Sequence, residues 1–589
     1  MPRLKQASRL GNRSRNFRLV SGFCLAVLAF AGPAQALNPV QDMIQKAIAS
    51  GATQVTIPAG TYPIENGDHF AFQGVKDFTV LAEGVHLVFH KRKTAITIRD
   101  CRNFEIRGWT MDYDPLPFSQ GTIIAAGPGW SYADVAFHAG YPMEATSGAR
   151  IEVKDKRTRL LKPQLYMIYG TAVEIIRPGV MRVHGTESFS GKVDTGDFLV
   201  DHYPDEGGYH GIEIEGSENV TLRDIEFYAS PGYAIHTAGC SGSRFIHFQF
   251  KLGPMPPGAT QPRLRTGHAD GIHCEYDRVG PDIEDCLIEN NGDDGIAIHG
   301  DMGEFAQSSS ASEIVAVKSM AELHMRVGDT VVGLAADKGE NFTAKVLAFN
   351  GNSLTLDRKV TVAQGAFIYN ADAVGSGFIV KGNISRNHRA RGLLIRGSNG
   401  LIEGNTVDWI QEAGIALFPE WGTWTQGGLV RGVRIADNTV RRAALMDWTS
   451  AVDVTVPGNP PAGSLQAIGF TGNTVDSCPG VNLSMGSIRG LTVTGNRFLN
   501  TGTAKHAIVS INQVDQALFQ SNCVSGTPPQ DALKTRNTTH LTAEDFQACS
   551  TTRLAAPAPQ PFLIGGPTGG RFHRWLFGID GRMWIPRKN

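Results

Sequence analysis

The sequence predicts an all-β protein, a right-handed parallel β-helix that carries two small inserted β-barrel subdomains. A unit of one alternating strand, a Gly-Asn or similar pair and a second short strand recurs along the chain, as in IEGNTV, IADNTV and FTGNTV. Hairpin turn signals, which a β-sandwich would need, are scarce. One such unit cannot bury its own core, whereas many stacked coils can.

Asparagines mark the repeat in the C-terminal half. Their separations are 22, 33, 35, 23 and 26 residues, so the short intervals suit one coil and the longer ones suit a coil with an inserted loop. Asn tolerates the left-handed backbone of a sharp corner, and stacked amides can bond along the stack. The series comprises Asn383, Asn405, Asn438, Asn473, Asn496 and Asn522.

The first 36 residues have the pattern of a secretory signal peptide. A segment with 6 basic and no acidic residues precedes an apolar run and a small-residue site ending at Ala36. We therefore expect export to the periplasm or the medium. The chain has 55 basic and 56 acidic residues, so the exported part carries 49 − 56 = −7. This charge disfavours nucleic acid and anionic membrane surfaces as partners, and no other apolar run reaches the ~20 residues of a membrane span.

The remaining boundaries follow from breaks in the coil pattern. A helical cap begins near Pro39, because an open end of a β-helix would otherwise template aggregation. Two segments with ordinary alternating strands and a Gly-Asp signal each are predicted to be the barrels. The predicted divisions are 37–119 for the cap and first coils, 120–205 for one barrel, 206–309 for the central coils, 310–372 for the other barrel, 373–550 for the last coils and 551–589 for a disordered tail.

Seven cysteines remain after the signal peptide, an odd number. We expect a disulfide between Cys523 and Cys549, with buried apolar cysteines as the equal alternative. Cysteine and histidine spacings do not match a zinc site, and neither a metal nor a cofactor is expected.

The candidate catalytic residues are three aspartates. Asp293 and Asp294 lie at a glycine-flanked turn in NNGDDGIAIHG, and Asp270 in GHADGIHC precedes them by 23 and 24 residues, about one coil. Both following strands begin Asp-Gly-Ile, so the three carboxylates should stack. A solvated loop would not predict this recurrence in register. His273 and His299 follow on the same coils and are candidates for substrate binding.

Clustered carboxylates raise one another's pKa, and burial raises it further. One can then stay protonated while the others ionise, as glycoside hydrolysis requires of its acid and its base. Stacked coils lie ~4.8 Å apart, so diagonal positions can reach the ~6.5–9.5 Å separation of inverting enzymes.

The pattern ADGIH…IEDCLIENNGDDGIAIHG resembles β-helical glycoside hydrolases. It is similar to polygalacturonase-like enzymes and, more closely, to the α-1,3-galactosidases of glycoside hydrolase family 110, over roughly residues 40–525. The resemblance implies an inverting, exo-acting galactosidase with a carbohydrate substrate. It implies Asp293 as the general acid, with Asp270 and Asp294 orienting the attacking water.

Two further segments are expected to line the cleft. Arg389 and Arg391 share one face of a strand and would either bind the sugar or pair with the aspartates. The loop FPEWGTW supplies Glu420, Trp421 and Trp424. Its tryptophans would stack on a sugar ring or cover the coil, and we favour stacking.

Three alternative functions stay open. A polygalacturonase-like enzyme would need basic groups for a uronate, which Arg389, Arg391 and Arg396 can supply. A polysaccharide lyase would use a basic proton abstractor and often calcium. A non-catalytic carbohydrate-binding β-helix would tolerate loss of Asp293. The two insertions would either narrow the cleft to an exo pocket or mediate a homodimer, and the residues leave both open.

Overall fold

The computed structural model describes residues 38–65, 69–143, 150–169, 171–202, 208–422, 424–503 and 507–549. The predicted signal peptide and the predicted tail lie outside the described residues. Within the described part, no helix is long and apolar enough to cross a membrane.

The predicted right-handed parallel β-helix is confirmed. Each regular coil gives one strand to each of three parallel sheets, here called sheets 1, 2 and 3 in chain order. Sheet 1 contains Phe70–Gln73, Ile96–Arg99, Ile212–Glu215, Ile235–Ala238, Ile272–Glu275, Ile296–Glu304, Leu393–Ile395, Ile415–Ala416 and Ser450–Val454. Sheet 2 contains Gln54–Thr56, Lys76–Leu81, Arg102–Arg107, Thr221–Arg223, Arg244–Ile246, Asp282–Glu284, Ile379–Lys381, Leu401–Glu403, Arg431–Ala436 and Leu465–Thr471.

Three long strands near the C-terminal end run through sheets 1 and 2 without a break: Val481–Thr494, Val509–Gln520 and Leu533–Ala543. Sheet 3 contains Gly60–Ile64, Val85–Phe89, Thr110–Tyr113, Glu226–Phe227, Gln249–Phe250, Leu287–Glu289, Ile384–His388, Thr406–Ile410, Thr439–Arg441, Thr474–Asp476, Arg497–Leu499, Cys523–Val524 and Gln547–Ala548. Short 3₁₀ turns occur at Pro128–Trp130, Glu187–Phe189, Thr501–Thr503 and Pro529–Asp531.

The core of the β-helix is a ladder of aliphatic side chains in register on successive coils. Because strand side chains alternate, every second residue of a strand points inward. Every side chain of this ladder is fully buried. Each coil therefore adds hydrophobic surface that only the neighbouring coils can cover. One such ladder on sheet 1 comprises Ile96, Ile212, Ile235, Ile272, Ile296, Leu393, Ile415 and Val452.

The asparagine series forms the predicted buried stack at the corner between sheets 2 and 3. The side-chain Nδ2 of each residue donates to the Oδ1 of the next at 2.9–3.1 Å, from Asn383 through to Asn522. Each backbone N–H except the last also donates to the same Oδ1, and each Nδ2 also donates to a backbone carbonyl. Every amide in the stack is therefore satisfied without water, which allows it to be buried.

The two ends of the body match their predictions. The helix Pro39–Ala49 caps the first coil, with Asn38 accepting a hydrogen bond at its N-terminus and Val40 and Ile44 buried beneath it. At the other end a disulfide joins Cys523 to Cys549. The other described cysteines, of which Cys478 is one, are free and buried.

The first insertion is an antiparallel sheet with its own apolar core, built around side chains such as Val135, Met181 and Leu199. Its strands pair in the spatial order Ile168–Tyr169, Arg150–Lys154, Phe198–His202, Phe118–Ala126, Tyr132–Phe137, Val180–His184 and Val173–Arg177.

The second insertion also has a separate core, around Val331, Leu354 and Ile368. Its strands form a series of antiparallel pairs that begins at the C-terminal end of Ile296–Glu304. The series closes with a bridge between Phe305, the residue after this strand, and Ala316. The order in between is Phe367–Asn370, Thr330–Leu334, Glu340–Asn350, Ser353–Val362 and Ser309–Val315. The barrel form and the domain boundaries proposed from the sequence stay predictions.

Candidate active site

The three aspartates lie at the turns that lead from sheet 3 to sheet 1 on two adjacent coils. Their strands pair in parallel, with Ile272 beside Ile296, so Asp270 lies beside Asp294 as the sequence predicted. One carboxylate oxygen from each of Asp270, Asp293 and Asp294 lies within 4.8 Å of the others. We call these residues the carboxylate trio.

The glycines that flank the paired acids are required by close packing. A Cβ atom at Gly292 would lie 1.8 Å from Arg265 Nη2, and one at Gly295 would lie 2.2 Å from Ser385 Oγ. Immediately before Gly292, Asn291 Nδ2 donates to the carbonyl of Ala269 at 3.1 Å and to that of Asp294 at 2.8 Å. The turn is therefore fastened to the preceding coil, which fixes both carboxylates relative to Asp270.

The first insertion lays the strand Arg150–Lys154 against this turn. Alternate residues of the strand make the contacts, as expected for side chains on one face. Arg150 Nη1 lies 3.3 Å from Asp293 Oδ2, and Lys154 Nζ donates to Asn290 Oδ1 at 2.8 Å. Between them, Glu152 pairs with the buried Arg265 at 2.7 Å. The insertion thus contributes charge directly to the trio.

Arg389 and Arg391 pair with the acids from the turn between Ile384–His388 and Leu393–Ile395 of the next coil, so the expectation that they lie on a strand was wrong. Arg389 Nη2 lies 2.6 Å from Asp293 Oδ2, and the backbone N–H of Arg391 donates to Asp294 Oδ1 at 2.7 Å. The guanidinium of Arg391 lies 3.6 Å from the same carboxylate oxygen. Of the two roles expected for these arginines, pairing with the aspartates is the one seen.

Two glutamates complete the charge network around the arginines. Glu420 bridges Arg391 and Arg396, with Arg396 Nη2 at 2.6 Å from Glu420 Oε2. Glu412 accepts a hydrogen bond from the hydroxyl of Tyr166 at 2.9 Å, and this tyrosine belongs to the first insertion. Every arginine named here therefore already contacts a carboxylate of the protein.

The surroundings push the pKa values of the trio in different directions. Burial raises the pKa of Asp294 well above its ordinary value; Arg391 opposes this rise, and the negative charges of Asp270 and Asp293 add to it. Burial also raises the pKa of Asp270, against the hydrogen bond from His273. Burial alone would raise the pKa of Asp293 as well, but nearby guanidinium groups outweigh it and hold that pKa below its ordinary value. In the unliganded site, the proton of the trio therefore lies away from Asp293.

The two histidines lie behind the trio. His273 Nδ1 lies 2.7 Å from Asp270 Oδ2, and His273 Nε2 lies 3.0 Å from His299 Nε2. His299 is fully buried and His273 is 4% exposed, so their contacts are with the protein. This corrects the expectation that both bind substrate directly.

Two groups of described side chains bring three donor atoms close enough to surround a cation: the trio, and His273 with Glu275 and His299. Members of both groups also contact protein partners, as in the pairs of Asp293 with Arg389 and of His273 with Asp270. The expectation of a site without metal or cofactor stays a prediction.

The loop after Phe418 covers the outer face of sheet 1. Its short strand Gln426–Gly427 pairs with Gly300–Asp301, which follow His299. The ring of Trp421 packs 5.4 Å from that of Phe367, so the stacking role favoured for Trp421 gives way to the covering role. Trp424 is 62% exposed and stays a candidate for sugar stacking.

Comparison with known proteins identifies similar sequences. The chain is 22% identical over 527 residues to an α-1,3-galactosidase B of Phocaeicola vulgatus, covering 75% of this chain and 85% of that protein. It is 20% identical over 438 residues to an α-1,3-galactosidase A of Shewanella woodyi, covering 67% and 70%. The chain resembles α-1,3-galactosidases over most of its length. No protein-family model matches it.

Solved structures give weaker likenesses. A family 28 exopolygalacturonase of Yersinia enterocolitica aligns at a TM-score of 0.40 with 14% identity, over 85% of this chain and 74% of that one. An endo-xylogalacturonan hydrolase of Aspergillus tubingensis aligns at 0.33 with 10% identity, over 86% and 96%.

Sequence reasoning missed the residues that the first insertion and other coils bring to the trio. Arg150 and Tyr166 lie 143 and 246 residues from their partners Asp293 and Glu412. Tyr233, whose ring stacks on His273 at 4.2 Å, was missed too. The register of the coils could have indicated Tyr233, because Ile235 pairs with Ile272 and the same offset of 37 residues places Tyr233 beside Asp270. Nothing in the sequence indicated Arg150.

Proposed function

We propose that this protein is an exported glycoside hydrolase that releases galactose from the ends of α-galactosides, with the carboxylate trio as its catalytic groups. The observation that carries the proposal is the convergence of Asp270, Asp293 and Asp294 on two adjacent coils, with their pKa values driven apart. The similarity to α-1,3-galactosidases over most of the chain supports the same reaction and the same sugar.

The charge network favours a neutral sugar over a uronate. An acidic sugar needs an arginine or lysine to receive its carboxylate. Arg150, Arg389, Arg391 and Arg396 all contact carboxylates of the protein already. A galactose residue brings hydroxyl groups, which such ion pairs can bind without being neutralised.

Asp293 is the proposed general acid, because its side chain is 22% exposed against 8% for Asp294. A proton donor has to reach the glycosidic oxygen, which lies on the open side of the trio. Asp270 and Asp294 then orient the water and take its proton. Because Arg389 and Arg150 hold Asp293 ionised, substrate entry has to weaken its contacts with both arginines before Asp293 can donate.

Inversion is proposed from the family resemblance. The trio oxygens lie within 4.8 Å of one another, which is shorter than the ~6.5–9.5 Å that usually leaves room for water in inverting enzymes. The stereochemistry of the product therefore needs a direct measurement.

The test is proton NMR of the first product released from a terminal α-1,3-linked galactoside by the purified protein, beside Asp293→Asn. The expected result is free β-galactose from the wild type and loss of release in the variant. α-Galactose as first product would keep the hydrolase and overturn inversion. Oligogalacturonides from galacturonan would move the protein to the polygalacturonase-like alternative, and an unsaturated product would indicate a lyase.

A non-catalytic binding module is the remaining alternative. It would bind galactosides without product formation, and Asp293→Asn would leave that binding unchanged. The matched control is Asp282→Asn, because Asp282 lies on sheet 2 and pairs with Arg244 at 3.4 Å.

A further inference from the structure

The contacts of His273 and His299 fix where their protons lie. His273 Nδ1 faces Asp270 Oδ2 at 2.7 Å, and His299 Nδ1 faces the carbonyl of Gly300 at 3.2 Å. A carbonyl only accepts, so His299 carries its hydrogen on Nδ1 and offers a lone pair on Nε2. The contact between the two Nε2 atoms, at 3.0 Å, therefore needs a hydrogen on His273 Nε2.

His273 Nε2 then donates to His299. The remaining proton of this hydrogen-bonded series lies between His273 Nδ1 and Asp270. Burial raises the pKa of Asp270, but the hydrogen bond and charge of Asp270 raise the pKa of His273 as well. Since an aspartate ordinarily ionises ~2–3 pH units below a histidine, this proton belongs on the imidazole. We propose that His273 is a positively charged positioning residue that keeps Asp270 ionised and aimed as the water-activating base of the proposed hydrolase. This inference rests on the proposed function.

The packing around His273 holds its ring in the plane that this role needs. Tyr233 stacks on the ring with centroids 4.2 Å apart and an angle of 11° between the planes. His210 stacks on the other side of Tyr233 at 4.5 Å and 18°. The ring cannot rotate away from Asp270 without breaking this stack.

The charges around His273 favour the imidazolium. Glu275 Oε2 lies 3.9 Å from His273 Nε2, and its other oxygen lies 2.9 Å from His236 Nε2. Burial alone would lower the pKa of His273, but the hydrogen bond and charge of Asp270 raise it above the ordinary value. The charged or titratable groups that act on this cluster from the surrounding coils include Asp270, Asp293, Asp294, Glu275, His210, His236, His299, Tyr233, Arg391 and Arg396.

In this arrangement His273 keeps its proton throughout the reaction. The attacking water forms a bond to the anomeric carbon and gives its proton to the carboxylate pair Asp270 and Asp294, while the leaving oxygen takes the proton of the general acid. His273 acts through Asp270 alone, by lowering the cost of a negative charge there.

The kinetic test compares the pH dependence of kcat/KM for wild type, His273→Gln and His299→Leu on a terminal α-galactoside. Loss of the positive charge makes Asp270 harder to ionise, so the acidic limb should move to higher pH by one unit or more in His273→Gln. His299→Leu removes the acceptor and should move the limb in the same direction, whereas His299→Gln supplies an acceptor oxygen and should restore it. His247→Gln, at an exposed histidine that pairs with Asp224, is the matched control.

A lower maximum kcat/KM with an unmoved acidic limb in His273→Gln would overturn the proposal. A merely structural role for His273 would affect folding without changing the pKa of Asp270. A loss of wild-type activity with a chelator that added zinc restores would overturn it as well, by making the two histidines a metal site. The protonation state is measured separately, from the ring nitrogens of the full chain labelled with ¹⁵N-histidine, with His273→Gln to assign the signal. A doubly protonated His273 near neutral pH supports the proposal even if no glycoside is turned over, and a neutral ring overturns it.

Discussion

The contact between Arg150 and Asp293 leads to a quantitative prediction. Arg150→Met removes a positive charge whose Nη1 lies 3.3 Å from Asp293 Oδ2, while keeping a long apolar side chain. At that distance two unit charges interact by about 1.3–2.5 kcal/mol for an effective dielectric constant of ~40–80. This range is set above the ~20 that is typical of pairs near a protein surface, to allow for solvent screening at two side chains that are about a quarter exposed. At 1.36 kcal/mol per pH unit, this corresponds to about one to two pH units.

The sign follows from the role of Asp293. Arg150 helps to hold the pKa of this carboxyl below its ordinary value, so its removal makes Asp293 keep its proton to higher pH. A general acid must be protonated, and activity falls on the alkaline side as it loses its proton. The alkaline limb of kcat/KM should therefore move up by about one to two pH units in Arg150→Met.

The assay is hydrolysis of a terminal α-galactoside across pH, with Arg182→Met as the control, since Arg182 belongs to the same inserted sheet and pairs with Asp134 at 2.7 Å. A change in substrate binding alone lowers kcat/KM at every pH without moving the alkaline limb. The assay therefore distinguishes an effect on binding from an effect on the pKa of the acid. An unmoved alkaline limb in Arg150→Met would refute the assignment of Asp293 as the acid. The proton would then come from Asp294, whose pKa the surroundings raise.

Three further predictions concern stability and binding. Asn438→Ala removes one rung of the buried amide stack and leaves its neighbours unpaired, so it should destabilise the protein by about 2–4 kcal/mol, measured by denaturant unfolding. Lys534→Ala, at an exposed position of Leu533–Ala543, should change the stability by less than ~0.5 kcal/mol. Cys523→Ser opens the loop to Cys549, a separation of 26 residues, and should cost about 2–4 kcal/mol in the same assay. Trp424→Ala should raise KM for galactosides with little change in kcat, and an unchanged KM would remove Trp424 from the site.

The coil period could be predicted from the sequence because the same physical demand repeats on every coil. Each corner needs a residue that buries a polar side chain with its hydrogen bonds satisfied, and asparagine meets this condition from Asn383 to Asn522. The left-handed backbone expected of these asparagines is found instead at the residue before each of them: Gly382, Gly404, Asp437, Gly472, Gly495 and Ser521. The same period placed Asp270 beside Asp294, since a shift by one residue would have turned every strand side chain to the other face. The disulfide was a weaker prediction, because spacing alone does not fix a pairing.

The partners of the trio could not be predicted in the same way. Arg150 reaches Asp293 because Lys154 and Glu152, on the same face of its strand, anchor an inserted sheet to the catalytic turn. That anchoring is a tertiary contact between two cores, and no local pattern in the chain encodes it.

This division between repeat and insertion also explains how the trio can hold unlike protonation states. The repeat places Asp270 and Asp294 at equivalent positions of adjacent turns, and equivalent surroundings would give them similar pKa values. The difference comes from what lies on either side of the stack. His273 bonds Asp270 from the strand that follows it, whereas Arg389 of the next coil and Arg150 of the insertion both pair with Asp293. A change in the insertion should therefore alter the acid, and a change in the histidine pair should alter the base. The pH profile of Arg150→Met should consequently change at the alkaline limb and that of His273→Gln at the acidic limb. Because carboxylate oxygens of Asp270 and Asp293 lie within 4.8 Å of each other and the two groups interact, the two displacements should be non-additive in the double variant.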